Sequence, residues 1–136
     1  MAMKRQILQI CTAVCCLLAF GACHRTENRV EKTAEAFLSV YYGGDFTSAA
    51  VLCTPRFAAL VERGGEALDQ VPEVTAEKMK EALSKTSFQI VSVIVDEDAA
   101  SARVDYELTV PGLERPVPKA LRLEIEGRTA RVDGIE

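Results

Sequence analysis

Lys85-Thr86-Ser87-Phe88-Gln89-Ile90-Val91-Ser92-Val93-Ile94-Val95 is the stretch at which the spacing of apolar residues changes. Upstream of it they recur every three or four positions, as on one face of a helix; downstream they alternate, as on one face of a strand. A block of helices followed by a block of strands on short connections predicts an α+β domain, with the helices segregated to one face of a four-stranded antiparallel sheet.

Working back towards the N-terminus, Met79, Ala82 and Leu83 form the stripe of a helix opened by a Thr75 cap, with Glu81 and Lys85 paired at i, i+4. Residues 66–74 contain Pro72 and read as a loop. The helix before that loop carries Phe57, Leu60 and Val61, opens at Thr54-Pro55 as cap and first-turn proline, and is expected to stop at Gly64-Gly65. Asp45 caps a short helix holding Phe46, Ala49, Ala50 and Leu52. The first helix has its stripe at Val30, Ala34, Phe37, Leu38 and Tyr41, an N-cap at Asn28 with Glu31 completing a capping box, and a stop at Gly43-Gly44.

Working forward, the Asp96-Glu97-Asp98 turn leads into a strand in which Ala102, Val104, Tyr106, Leu108 and Val110 alternate with Arg103, Asp105, Glu107 and Thr109. Pro111-Gly112 ends it, and the stretch to Pro118 reads as loop or edge. Leu121, Leu123 and Ile125 then alternate with Arg122, Glu124 and Glu126, and Gly127 turns the chain into a last strand with Ala130 and Val132. The charged outer residues are expected to pair across the ladder. The first strand is apolar on both faces: Phe88, Ile90 and Ile94 are assigned to the helices. Val91, Val93 and Val95 are then left as a candidate partner patch on the other face.

The chain has 136 residues, 49% hydrophobic and 26% charged, which suits one small folded domain. Sixteen basic residues face 20 acidic ones, a net charge of −4, so there is no basic excess to neutralise a phosphate backbone and no nucleic-acid partner is expected.

Lys4 and Arg5 precede an apolar run, Ile7 to Phe20, shorter than the ~18–20 residues a membrane-spanning helix needs. Gly21-Ala22-Cys23 follows, and the chain turns polar at once. This arrangement resembles the lipobox of bacterial lipoproteins, whose cysteine is acylated and becomes the new N-terminus, with Phe20 where leucine is commonest. A plain secretory signal cut after Gly21 and an uncleaved anchor are the competing readings. The lipoprotein reading divides the chain into a signal peptide (1–22), a lipidated N-terminus and short tether (23–28) and one domain (29–136). It implies palmitate-type acylation of Cys23 and a membrane-anchored location on the extracytoplasmic side of the cell envelope, at the outer membrane or periplasm. Cys11, Cys15 and Cys16 leave with the signal. Cys53 then has no disulfide partner and is expected to pack as a small buried residue.

The run Ala34-Glu35-Ala36-Phe37-Leu38-Ser39-Val40-Tyr41-Tyr42-Gly43-Gly44-Asp45-Phe46, continuing to Leu52, resembles small bacterial lipoproteins of the nuclear-transport-factor-2-like (cystatin-like) superfamily, in a group with a domain of unknown function. Phe88 to Val93 and Gly127 to Gly134 are similar to the sheet of that family. Relatives often carry a tryptophan after the last turn glycine, and this chain has none. The resemblance implies a curved sheet wrapped over helices as a cone, with a pocket for which Phe37, Tyr41, Phe57, Phe88 and Tyr106 are the candidate lining.

Enzymes on that fold place acids, histidines or tyrosines inside the cone. Here the only histidine, His24, stands beside the lipidation site, Asp45 reads as a cap and Asp105 falls on the polar face. No catalytic, cofactor-binding or metal-ligating residues are assigned, and no cofactor is expected. The leading expectation is a monomeric, non-catalytic binding or interaction module of the envelope, attached to the membrane through lipid on Cys23, with another envelope protein as its partner. A carrier or sensor of a small apolar ligand comes second, and an enzyme of the isomerase or dehydratase type third.

Overall fold

The computed structural model describes residues 25–70 and 72–136. The signal segment with Cys11, Cys15 and Cys16, the lipidation candidate Cys23, and His24 lie outside the described residues. The expected α+β order is found: among the described residues four helices, α1 (residues 25–42), α2 (Phe46–Val51), α3 (Pro55–Asp69) and α4 (Glu73–Ser84), precede four strands. These are β1 (Ser87–Asp96), β2 (Ser101–Thr109), β3 (Val117–Glu126) and β4 (Thr129–Ile135), and they form one antiparallel sheet in the order β1-β2-β3-β4.

The α1 stripe is as expected: Val30, Ala34, Phe37 and Leu38 are fully buried. They pack with Val104, Tyr106, Leu121, Leu123 and Val132 of the sheet in one core. Residues 25–28 are already helical, so Asn28 lies inside α1 rather than capping it, and that part of the expected tether belongs to the helix. At its other end α1 stops where predicted. Gly44 takes a φ of +83°, which a side chain would disfavour, and the Asp45 amide donates to the Val40 carbonyl at 2.9 Å. Asp45 then caps α2 by accepting from the Ser48 amide (3.1 Å) and the Ser48 hydroxyl (2.6 Å).

The second glycine pair behaves differently. α3 runs straight through Gly64-Gly65 to Asp69, which corrects both the expected stop and most of the expected loop. Glycine weakens a helix interior by ~1 kcal/mol without forbidding it. A Cβ on Gly65 would stand 3.3 Å from the Cβ of Phe46, so the missing side chain is what lets α2 lie close on α3. α4 begins at Glu73, after Pro72, and not at a Thr75 cap; the Glu73 carboxylate in its first turn complements the helix dipole.

Two bulges set the faces of the sheet. In β1 the pairing passes from Ile90↔Tyr106 to Ser92↔Asp105, leaving Val91 as the extra residue. A one-residue insertion reverses the side-chain phase beyond it. Val93 and Val95 therefore join Phe88 and Ile90 against the core, while Ile94 turns outwards, the reverse of the expected assignment. Of the patch Val91, Val93 and Val95, only Val91 is exposed (60%), and its outward apolar neighbour is Ile94 (56%).

The outer charges also pair differently from the expectation. The register sets Arg103 directly opposite Arg122. Both guanidiniums are held by one carboxylate, Glu136, at 3.0 and 3.2 Å. β3 is longer than expected and includes Pro118, which pairs with Glu107. The Ala120 amide donates to the Glu136 carbonyl, and Pro118, two residues earlier on the same side, has no amide hydrogen to offer the ladder.

In β4 the bulge lies at Asp133, between the pairs Leu123↔Val132 and Arg122↔Gly134. Here the helical layer meets the sheet. The Thr54 amide donates to the Val132 carbonyl and the Val132 amide to the Leu52 carbonyl, both at 2.9 Å. Asp133 accepts from the Thr54 hydroxyl at 2.8 Å and from the Arg56 guanidinium at 2.9 Å. Burial alone would raise the Asp133 carboxyl, but these bonds and the charges of Arg56 and Arg122 bring it below the usual carboxylate range. Thr54→Val keeps the side-chain volume while removing both the bond to Asp133 and the cap on the Phe57 amide (3.4 Å). We expect it to cost ~1–3 kcal/mol in urea unfolding. An unchanged midpoint would mean that this corner does not hold the layers together.

Candidate functional site

An aromatic row runs from the core to the end of α1. Phe37 stacks on Tyr41 with ring centroids 5.2 Å apart, and Tyr41 meets Tyr42 and Phe46 edge-on at 5.1 and 5.4 Å. Tyr42 in turn meets Tyr106 of β2, with their hydroxyl oxygens 3.2 Å apart. Tyr106 is 1% exposed, as its place in the apolar alternation predicted, whereas Tyr42 is half-buried.

The direction of this bond follows from burial. Two hydroxyls share one bond and have two hydrogens, so one hydrogen must find a partner elsewhere. Tyr106 has no access to water and would lose the full value of an unmade bond, while Tyr42 borders open space. Tyr106 therefore donates to Tyr42, and the Tyr42 hydrogen is free to turn outwards. Burial pushes both phenols above their ordinary range, and the bond raises Tyr106 further while partly offsetting the rise at Tyr42. Both remain protonated donors throughout the physiological range.

The open space beside Tyr42 is a hollow of about 690 Å³ between α4 and the end of β2. Its apolar wall comes from Met79, Ala82 and Leu83 of α4, from Leu108 of β2, and from Val110 and Pro111 beyond it; Lys78, Lys85 and Glu81 stand around it. Met79, Ala82 and Leu83 lie at i, i+3 and i+4, on one face of α4. That face is barely covered: Met79 is 47% exposed and Leu83 only half-buried. Glu81 is paired with Lys85 at 3.3 Å, and among the described residues Lys78 has no ion pair.

None of the five candidate lining residues borders this hollow. Phe37 and Tyr106 are sealed in the core, and Tyr41, Phe57 and Phe88 pack against it. The sequence reading placed the pocket on the axis of the cone, which side chains fill; the hollow lies at the rim, and Tyr42 is the residue that was missed. The doublet Tyr41-Tyr42 at a helix stop was the available signal, because its second member must leave the stripe that buries the first.

The remaining candidates have structural partners. Asp45 is held low by its bonds from the Ser48 side chain and amide. Asp105 is held low by Arg103 and Ser92, at 2.9 and 3.0 Å. Cys53 is buried, donates to the Ala49 carbonyl at 3.2 Å, and has its thiol pushed up to about 12 by burial, so it is held as the unreactive thiol. Among the described residues no group of three or more His, Cys, Asp or Glu side chains could hold a metal ion. No helix among them is long and apolar enough to cross a membrane.

Comparison with solved structures finds a protein of unknown function with a cystatin-like fold from Methylobium petroleophilum PM1, 12% identical, with a TM-score of 0.48, covering 79% of this chain and 74% of that one. It also finds a nuclear-transport-factor-2-like protein of unknown function from Cytophaga hutchinsonii ATCC 33406, 8% identical, with a TM-score of 0.43, covering 79% and 88%. No family model matches the chain, and no curated protein matches it.

The tyrosine pair makes an asymmetric prediction. Tyr106→Phe removes a donor from a half-exposed acceptor that water can serve, and is expected to cost under ~1 kcal/mol. Tyr42→Phe strands the buried Tyr106 hydroxyl and is expected to cost ~1–3 kcal/mol. Urea unfolding of the two variants checks the order; the reverse order would mean that water serves the Tyr106 hydroxyl better than the Tyr42 hydroxyl.

Proposed function

We propose that this chain is a lipid-anchored module of a bacterial cell envelope that acts by binding rather than by catalysis, and that its binding site is the hollow between α4 and the end of β2. The anchor rests on the sequence: a basic start, a short apolar run and Gly21-Ala22-Cys23. The observation that carries the binding reading is an unfilled, largely apolar space of about 690 Å³ with a tyrosine hydroxyl and lysines at its margin. This is the size and character of a small-molecule site, where apolar walls supply affinity and a few polar groups fix orientation. In favour of a non-catalytic role, the acids and the thiol that could do chemistry are engaged as caps, ion pairs or core packing. The carrier or sensor reading is thus preferred to a polypeptide partner on the outer sheet face, where the exposed apolar side chains of β1 reduce to Val91 and Ile94.

Two measurements test the two halves. In a bacterial host fed labelled palmitate, the full chain should take up label and sediment with membranes, while Cys23→Ala should lose the label. Label retained by Cys23→Ala would sink the anchor. Native mass spectrometry of the protein extracted from its own host should show extra mass, in the range of a small organic molecule, that leaves on denaturation. A polypeptide adduct instead would move the function to the outer face.

A further inference from the structure

The geometry points to a single-chain amphiphile with a carboxylate head, a monomeric long-chain carboxylate taken from water, as the occupant of the hollow; this rests on the binding reading above. The wall is formed by Met79, Ala82, Leu83, Leu108 and Val110, and the hydroxyl of Thr86, which also lines it, is spent on the Ala82 carbonyl at 3.2 Å, so the body of the ligand must be apolar. Burying it would cover the α4 face that the fold leaves open. The margin is polar and unbalanced. Glu81 and Lys85 neutralise each other at 3.3 Å, which leaves the Lys78 ammonium uncompensated. Tyr42 adds a hydroxyl whose hydrogen the buried Tyr106 leaves free. One uncompensated cation and one neutral donor beside an apolar wall complement a monoanionic acceptor at the end of a hydrocarbon chain. A cationic head would meet Lys78 unfavourably, and an alcohol would leave that charge unused.

The place of the hollow also selects the source. Tyr42 ends α1, and residues 25–42 of that helix span ~26 Å at 1.5 Å per residue. The lipid attachment proposed at Cys23 lies beyond the opposite end. The hollow thus lies about a helix length along the chain from the proposed anchor, and a helix held upright by that anchor would present it to dispersed monomers rather than to the acyl chains of the anchoring leaflet.

The test is equilibrium dialysis of labelled dodecanoate, dodecanol and dodecyltrimethylammonium against the chain as its host processes it, held in nanodiscs, with protein-free nanodiscs as the blank. Dodecanoate should bind saturably above the blank and more tightly than the other two. Lys78→Met should weaken dodecanoate roughly three- to tenfold and leave dodecanol unchanged. Lys80→Met, on the same helix but lying over Gly44 rather than bordering the hollow, should change neither. Ala82→Trp, which fills the hollow from an exposed helix position, should abolish saturable uptake of all three, with circular dichroism checking that the helices are kept. Equal binding of dodecanol and dodecanoate, or equal effects of Lys78→Met and Lys80→Met, would overturn the carboxylate while leaving the binding site standing. No saturable uptake, or uptake unaffected by Ala82→Trp, would overturn both.

Discussion

The helical layer and the sheet are joined by a backbone exchange at Val132, whose amide donates to Leu52 and whose carbonyl accepts from Thr54. Everything on either side depends on that exchange. It satisfies part of the open edge of β4, which would otherwise present unpaired donors and acceptors to other chains. It also ties the corner between α2 and α3 to β4. The Asp133 bulge exists at the same place because a straight strand could not turn that side chain towards Thr54 and Arg56. A charged side chain held mostly away from water is tolerated there because a hydroxyl and a guanidinium both donate to it.

What the sequence made legible was whatever its local chemistry decides alone. The stripe Val30, Ala34, Phe37, Leu38 could only be the buried face of a helix, and Gly44 with Asp45 could only be a stop followed by a cap. The β2 alternation named its inward set without ambiguity, Tyr106 included. Three of the failures share a cause: each was settled by a partner distant in sequence. Gly64-Gly65 has the same letters as Gly43-Gly44, and it is the approach of Phe46 that makes Gly65 a packing residue. β1 is apolar on both faces, so nothing in its own pattern fixes its phase, and the bulge at Val91 assigns Val93 and Val95 to the core. Arg103 and Arg122 were read as members of an alternating ladder; their actual register needs Glu136 to hold both.

The candidate site was the least legible part, for a physical reason. A filled core can be inferred from the residues that fill it, but a space is defined by what is missing between elements. The five aromatic residues offered for the lining are those that a cone encloses, and they enclose one another. The hollow lies where the aromatic row runs out. Tyr42 is the last residue of α1 and reaches Tyr106, while the next inward position of β2, Leu108, and Val110 beyond it border the hollow together with Tyr42.

The glycine stop after Tyr42 thus has two effects that cannot be separated. By ending α1 it allows Asp45 to begin α2 and bring Leu52 to Val132, which the fold requires. By the same act it leaves a hollow beside Tyr42 at the end of β2, where Leu108 is still buried and Val110 only partly so. α4 comes alongside but does not close the gap: its apolar face remains partly in water, and its charges stand at the margin rather than inside. Burying apolar surface contributes ~25 cal/mol per Å², so a helix face left in water forgoes stabilisation that an apolar occupant beside it would supply. The partly exposed apolar face of α4 and the end of β2, where Leu108 is the last fully inward residue, face each other across the same hollow, and the proposed occupant would extend the core from the point at which the glycine stop ends α1.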